Sequence, residues 1–594
     1  ERINATGLYG HRAAIHQGDL LTFDAPPYLA SLTVVNGAWD SAIPLTEILA
    51  RLYHSMRPYG GKAVLLNMPE SLRQAVCRSV DPFQGLKAEQ RGNIVILSRE
   101  GPLEGSASWT HNLGDIAQTG KSNDLLVRAP LGVLWFGGNS HDDVLPRHGH
   151  GPTEQVVGGR LFIQGINCLS ARDVYTGRVI WKKPLHDLNT YGVYFDGTYR
   201  YTPTDIAYNQ VHIPGANVRG TNYVATEDGV YVIQNGTCLV LDPATGETLN
   251  VISLPPKDPE ARRPAPPPWG YIGVYGDLLI AGTGFVAFSD LLQPKRDEYP
   301  AWQPLDKAAS QKLLIMDRRT GEIRWQKESV HGFLHNGIAA GNGTLFVLDK
   351  LHPSVEDQLA RRGKTLPVAS RLMAMDVETG ASRWETSDNI FGSFLCYSEE
   401  NDILLQSTRP SRDTVSGEAG ERVIAYRGRD GKVLWDRQFP YATFPVLHGR
   451  QFITESGAFD LLTGDPILRP NPLTGENEPW TWKREYGCNY PIASEHFLTF
   501  RSGAAGYYDL TNDGGTGNFG GFKSGCTANL VAADGVLNAP DYTRTCSCSY
   551  QNQTSLALVH MPDVEIWTFN AFEAGTARVR RIGINLGAPG DRRA

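Results

Sequence analysis

No stretch of this chain approaches the ~18 consecutive apolar residues that a membrane-spanning helix needs, so no transmembrane segment is expected. No run of Lys or Arg is long enough to track a phosphate backbone, and the net charge is −7, so nucleic acid is not an expected partner. Cys-x-x-Cys-His is missing, which removes covalently attached haem. Charged residues are only 20% of the total. The chain begins at Glu1 without Met and without an apolar leader, which reads as a mature form or a piece of a longer one. In place of these features stand 63 Gly and 37 Pro among 594 residues, with 10% aromatics. That balance is turn-rich and all-β, and too ordered in pattern for a disordered chain. The length exceeds one ordinary core, but a closed propeller adds blades without thickening any of them.

The architecture follows from an internal repeat. An apolar strand, Asp, two variable residues, Thr-Gly and a second strand recur from Leu169 to Trp181, Cys238 to Leu249, Leu313 to Trp325 and Leu372 to Trp384. Weaker copies run from Val423 to Trp435, Gly457 to Ile467, Ala505 to Gly517 and Ser555 to Phe569. Each is a hairpin: Asp bonds the backbone two residues on, Gly takes the left-handed turn position, and alternating apolar residues bury one face. A Trp in the outgoing strand is large enough to fill the space between neighbouring units. A second hairpin precedes each copy, as in Thr153 to Gly165 or Phe394 to Ser407. The expected fold is therefore mainly β, an eight-bladed β-propeller over residues 131–594, reached through a linker at 106–130.

The repeat resembles the tryptophan-docking motif of pyrroloquinoline-quinone-type propellers, a family of quinoprotein alcohol dehydrogenases and a non-enzymatic outer-membrane assembly lipoprotein. Whole strings, Pro146 to Thr153, Asn512 to Cys526 and Asn538 to Leu558, are similar to secreted propeller proteins common in planctomycete-type bacteria. The resemblance implies a quinone and Ca²⁺ as family cofactors. It is imperfect, because those dehydrogenases hold the quinone under two adjacent cysteines and no Cys-Cys pair occurs here; Cys546-Ser547-Cys548 is the nearest substitute.

Residues 1–105 alternate strand and helix: Arg12 to Asp19, Ala30 to Gly37, a helical run from Leu45 to Met56, then Arg57 to Asn67. The helix ending at Arg-Pro-x-Gly-Gly resembles the second half of an S-adenosylmethionine methyltransferase Rossmann domain. The Gly-rich loop that would cradle the cofactor is missing, so binding of S-adenosylmethionine is not expected. A partial, degenerate Rossmann-like α/β domain that docks a protein partner is the expectation.

In a propeller the start of each first strand faces the axis, so register selects the candidate site. It names His148, His150, Thr221, Asn222, Trp269, His335, Asn336, Cys396, Tyr441, Cys488, Asn489 and Cys526. The three histidines suit proton transfer, metal ligation or hydrogen bonding in a polar channel. Asp541 and Arg544 offer a base and an anion or polyhydroxyl holder, or a loop ion pair. Asn222, Trp269 and Asn489 are the candidate cofactor contacts. Asp509, Asn512 and Asp513 form an oxygen-rich turn that is either a hard-cation site or a plain turn. Cys488, Cys526, Cys546 and Cys548 crowd together late in the chain; they are disulfide candidates, with a thiolate metal site as the alternative, and point to a periplasmic or secreted setting. A small-molecule or carbohydrate ligand in the funnel is expected. Oxidation of an alcohol or sugar, non-catalytic binding or assembly, and lyase or hydrolase chemistry all remain open.

Overall fold

The computed structural model describes residues 5–9, 13–18, 20–23, 25–37, 39, 44–137, 143–144, 152–165, 167–185, 219–234, 236–292, 305–364, 368–410, 418–487, 489–519, 522, 525, 529–541, 554–564, 568–569 and 572–582. They form two compact units, Glu1–Glu104 and Gly105–Ala594. Among them no helix is long and apolar enough to cross a membrane.

In the first unit, β1 (Leu32–Asn36) pairs in parallel with β2 (Gly61–Leu66) after crossing over through α1 (Leu45–Ser55). After α2 (Glu70–Arg78), the strands β3 (Leu86–Arg91) and β4 (Ile94–Arg99) complete the order β1-β2-β4-β3, β4 being antiparallel to both neighbours. One sheet face carries Val35, Ala63, Leu65, Val95 and Leu97 into a core with Ile48, Leu49, Leu52 and Val76 of the helices. On the other face Leu32 and Val34 are 61% and 56% exposed. The strand expected at Arg12 to Asp19 is not found in its described part, where Ala13 makes only an isolated bridge to Tyr9.

The second unit is a succession of antiparallel meanders. Four strands, β6 (Gln155–Val157), β7 (Arg160–Gln164), β8 (Cys168–Asp173) and β9 (Val179–Pro184), form one sheet. Then come β10 (Tyr223–Ala225), β11 (Val230–Gln234), β12 (Thr237–Leu241) and β13 (Thr248–Ser253). A seven-stranded sheet follows, of β14 (Trp269–Tyr275), β15 (Leu278–Phe285), β16 (Ala309–Asp317), β17 (Ile323–Gly341), β18 (Thr344–Asp349), β19 (Arg371–Asp376) and β20 (Ser382–Thr386). Long β17 joins two meanders, outermost in one and first in the next, and its pairing with β18 breaks between Phe333 and Ile338. Next are β21 (Phe394–Ser398), β22 (Ile403–Ser407), β23 (Gly420–Arg427) and β24 (Val433–Tyr441).

A three-stranded sheet, β25 (Val446–His448), β26 (Gln451–Thr454) and β27 (Gly457–Asp460), has only a bridge at Pro466 where an outer strand was expected. Proline has no N–H for a ladder. A separate hairpin, β28 (Leu468–Pro470) and β29 (Asn477–Pro479), follows. The next sheet holds β30 (Ile492–Ala493), β31 (Phe497–Ser502), β32 (Ala504–Asp509) and β33 (Thr516–Asn518), with β37 (Thr568–Phe569) on its edge. The last is β34 (Val531–Ala533), β35 (Val536–Ala539) and β36 (Ser555–His560), completed by β5 (Leu131–Gly137) from the start of the unit. The hairpin expected from Ser555 to Phe569 is thus corrected. Its second arm pairs elsewhere, because an early strand takes the outer place and ties the two ends of the unit together.

First strands stand side by side in chain order: β6 by β10, β10 by β14, then the inner half of β17, β21, β25 and β30, with β34 beside β6. Between β30 and β34 the sheets share a core of Phe497, Tyr507, Leu530, Ala532 and Leu537.

The repeat motif explains the spacing of the sheets. In the turn after β12, Asp242 Oδ1 accepts from the N–H groups of Ala244 and Thr245 at 2.8 Å, and Asp317 and Asp376 repeat the pattern. The closing glycines Gly177, Gly246, Gly380, Gly431 and Gly464 are floors on which a tryptophan of the preceding meander lies, and at Gly321 the place is taken by Ile252. A Cβ on Gly431 would sit 2.6 Å from the Trp384 ring, and the Trp384 indole donates to the Gly428 carbonyl. Trp135, Trp181, Trp325 and Trp435 make the same indole-to-carbonyl bond to the turn of the next meander. Trp135 lies on β5, so this docking also links the last sheet to the first.

Candidate functional site

The first strands have two ends, and the chain treats them differently. At the end where first strand turns into second, the segment expected as a linker runs as a strap from sheet to sheet. The Ala107 carbonyl accepts from Asp534 N, and Trp109 exchanges two 2.8 Å backbone bonds with Val156. The Thr110 carbonyl accepts from Ala225, and His111 Nε2 accepts from Val274 N at 3.1 Å. Ile116, Ala117, Thr119 and Gly120 then offer carbonyls to Ala340, Tyr397, Leu447 and Ala493. Asp124 Oδ2 accepts from Gly535 N at 2.7 Å, back at the sheet where the circuit began. Two side chains brace it. Gln118 Nε2 donates to the carbonyls of Asn336, Ile338 and Leu395, and Asp115 accepts from Thr119 N and Oγ1. Burial pushes the Asp115 carboxyl up to about 6 against those bonds, and Asp124, whose four backbone donors oppose its burial, is also raised.

At the opposite end, starts of first strands meet ends of second strands in a belt of buried polar groups. His335 is neutral: burial lowers it to about 3. Its Nδ1–H donates to the Arg219 carbonyl at 2.9 Å, and Nε2 accepts the Ser310 hydroxyl at 2.8 Å. This Ser–His pair is not a nucleophile and base. Both residues are buried, and a Cβ on Gly270 or Gly282 would lie 2.4 or 2.3 Å from Ser310 Oγ, leaving no room for a substrate. Asn336 Oδ1 accepts from Arg409 Nη1 at 2.8 Å, and the Arg409 guanidinium lies 5.5 and 5.4 Å from the rings of Phe444 and Tyr490. Burial lowers the pKa of Arg409, but an arginine stays charged. Its backbone N–H donates to Glu418, which also takes Ser393 Oγ and stands 3.1 Å from His352 Nε2. Burial would raise the Glu418 carboxyl, yet these partners hold it below the usual range. Asn489 continues the belt, accepting from Arg501 N at 2.9 Å, and Arg501 is buried at the end of β31.

Some polar groups at this end have no partner among the described residues. Thr153 Oγ1, both side-chain heteroatoms of Gln164 and Asn222 Oδ1 are buried without a hydrogen bond. Thr153 and Asn222 precede the first strands β6 and β10, and Gln164 ends the second strand β7.

Of the residues selected by register, His335, Asn336, Asn222 and Asn489 stand in or beside this belt. Trp269 starts β14 but is packed among Val224, Tyr231 and Ile272, its indole donating to the Tyr271 carbonyl at 2.7 Å. Tyr441 ends the fourth strand β24 rather than opening the next sheet; its hydroxyl donates to the Arg422 carbonyl and accepts from Thr408 N. Cys396 lies mid-strand in β21, free and buried, and burial pushes its thiol up. Asp541 is buried after β35, with its N–H on Ser555 Oγ. His148, His150, Arg544, Cys488, Cys526, Cys546 and Cys548 lie outside the described residues. Asp509, Asn512 and Asp513 sit together at the turn after β32. Asp509 accepts from the N–H groups of Thr511 and Asn512, whereas Asp513 turns to Trp480, Tyr508 and Arg469. Asn512 and Asp513 line a flank cleft of about 950 Å³ with Trp480 and Tyr508, away from the belt.

The register reading missed Arg219, Arg409, Arg501 and Gln164. The signal for three of them was a polar residue closing an otherwise apolar second strand, as in LFIQ, LLQSTR and FLTFR.

The family model described as outer membrane protein assembly factor BamB matches residues 307–444. The repeat is of the PQQ-like propeller type. No curated protein matches. Among solved structures, BamB from Moraxella catarrhalis is 13% identical, with 62% of this chain and 82% of that one covered and a TM-score of 0.31. Quinohemoprotein alcohol dehydrogenase from Comamonas testosteroni is 12% identical, with 78% and 83% covered and a TM-score of 0.42.

Among the described residues no three His, Cys, Asp or Glu converge as metal donors, and Trp269 presents no free face for stacking.

Proposed function

We propose that this chain is an extracytoplasmic eight-bladed propeller that binds a polyhydroxyl ligand, a sugar or the end of a sugar chain, in a cup closed by the strap. It works as a binding module rather than as an oxidoreductase. The eight-blade count is supported by treating the two halves of the seven-stranded sheet as separate blades and the β25–β27 sheet as one whose outer strand is reduced. The observation that carries the ligand reading is the set of unpartnered groups on Thr153, Gln164 and Asn222. Buried polar atoms are nearly always satisfied, so a cluster left open calls for donors and acceptors from outside. Neutral amides and hydroxyls beside guanidinium groups suit hydroxyl recognition better than a single fixed charge. An extracytoplasmic setting is supported by the match to an outer-membrane assembly factor.

Calorimetric titration with a panel of mono- and oligosaccharides tests this. A sugar that binds the wild type and not the Gln164→Leu/Asn222→Leu variant supports it. Absence of any binding sugar, or equal affinity in the variant, overturns it. Dye reduction on adding quinone and Ca²⁺ would restore the oxidoreductase reading.

A second reading, a protein partner on the first unit, rests on its uncovered sheet face. A parallel β-α-β pair is normally buried on both sides, yet Leu32 and Val34 are exposed here, and Val64, Leu66, Ile94 and Ile96 of the same face are half-buried. Of the adjoining basic residues, Lys87 and Arg91 pair with Glu100 and Glu89, and Lys62 beside Leu32 favours an amphipathic helix with an acidic flank. The parallel crossover also supports the half-Rossmann description of this unit. Cross-links from Lys62 and Lys87 to one stoichiometric partner, lost in Val34→Glu, would bear this out; a homodimer or no cross-link would refute it.

A further inference from the structure

We infer that the turn ends of the first strands form a peptide-binding ring, which this chain fills in cis with its own Ala107–Asp124. The inference concerns the opposite end of the strands from the ligand reading above, although the strap's Gln118 and Asn112 reach through to Asn336 and Thr153 of the belt. Its basis is register. Ala225, Val274, Ala340, Tyr397, Leu447, Ala493 and Asp534 occupy matching places near the end of successive first strands, and each points its N–H at the strap. In a meander the first strand has one edge on the second strand, and the other edge would present unpaired donors. A single segment, which turns at Gly114, Gln118 and Gly120, satisfies one donor per sheet, mostly through its own carbonyls, as a peptide does at a strand edge. Recognition of this kind needs little side-chain identity. It asks for a backbone that can turn at 114, 118 and 120, where φ is +89°, +57° and +67°, a Gln at position 118 able to reach three carbonyls, and a glycine at 120, where a Cβ would come within 3.2 Å of Phe444.

The strap touches the sheets through single bonds and the isolated bridges of Trp109 to Val156 and Lys121 to Ala493, so its departure would break these and no longer ladder. Release would open the cup at both ends and present the ring to a peptide in trans. Cys396 reports on this event. Its thiol is free and buried, its neighbours Leu395 and Tyr397 bond Gln118 and Ala117, and Asp115 lies close enough to act on its charge.

Hydrogen exchange on the full wild-type chain is the first test. The amides of Ala340, Tyr397, Leu447 and Ala493 are expected to exchange with one shared rate, faster than ladder amides of the same strands. The second test uses the full-chain Gln118→Ala variant. Loss of the two N–H donors that Gln118 shares among three carbonyls should speed alkylation of Cys396 on the order of 30-fold, and a synthetic peptide spanning 105–125 should slow it again. Strap-bonded amides that exchange independently, or only together with the ladders, would overturn the inference. So would a variant whose Cys396 stays unreactive, or one that the peptide fails to protect.

Discussion

Replacing Gly431 by Ala isolates the contact that sets the distance between sheets. Gly431 has φ +70°, and its missing Cβ leaves room for the Trp384 ring, whose nearest atoms would lie 2.6 Å away. Two costs follow. An L-residue in the left-handed region costs about 1 kcal/mol, and forcing an atom into a filled contact costs about 1–3 kcal/mol. Gly276 supplies the control, since it has φ +55° in a turn and nothing within 4 Å of its Cβ position. Gly276→Ala should therefore lose only the backbone part. Urea unfolding followed by tryptophan fluorescence should place Gly431→Ala about 1–3 kcal/mol below Gly276→Ala, with equal slopes. Trp384 should also shift its emission in the first variant alone. If the two variants agree within about 0.5 kcal/mol, the tryptophan is not docked on the turn as described, and the physical reading of the repeat fails.

The remaining expectations concern burial and pH. Asp115, raised to about 6 by burial, binds its proton more tightly in the folded state than in the unfolded one, so its contribution is lost as pH rises from the unfolded value towards 6. The loss is about 3 kcal/mol by pH 7, and Asp115→Asn should remove that slope in denaturation curves compared between pH 4.5 and 7.5. His111 and His335, both lowered to about 3 by burial, act in the opposite sense, since the unfolded chain takes up their protons first and stability falls as pH drops below 6.5. His335→Gln should flatten the acid limb; an unchanged limb would show that the ring is solvated. Gln164→Leu removes two unpartnered buried atoms and should raise stability by about 1–2 kcal/mol while abolishing ligand binding, an outcome readable by thermal shift and calorimetry on one sample. Trp135→Ala cuts the docking between last and first sheets and should cost about 3–5 kcal/mol; a loss under 1 kcal/mol would argue against closure through β5.

The turn chemistry was legible because it is local. Asp242, Thr245 and Gly246 lie within one turn, and the partner of each Trp is a fixed element of the next repeat, so a short period carries both. Closure was half legible. The apolar strand from Leu131 to Gly137 has no hairpin partner nearby in the sequence, yet its pairing with Ser555–His560 spans more than four hundred positions and leaves no spacing to read. A turn motif near Val564 then suggested a local hairpin that the longer-range strand displaces.

The strap and the belt were hidden for different physical reasons. A segment held by one backbone bond per sheet needs no hydrophobic period, so residues 107–124 looked like a connection rather than a structural element. The belt mixes the beginnings of first strands with the ends of second strands, and register reasoning followed only the beginnings. It found His335 and Asn336 but not Arg409, which closes the hydrogen bond to Asn336 from the next meander. A polar residue that ends an apolar strand is costly where it is buried, and it persists only where something satisfies it. For Arg409 the structure shows that something in Asn336. For Gln164 and Asn222 it shows no such group among the described residues, and this asymmetry between two parts of one belt is why the ligand is sought beside β6 and β10 rather than beside His335.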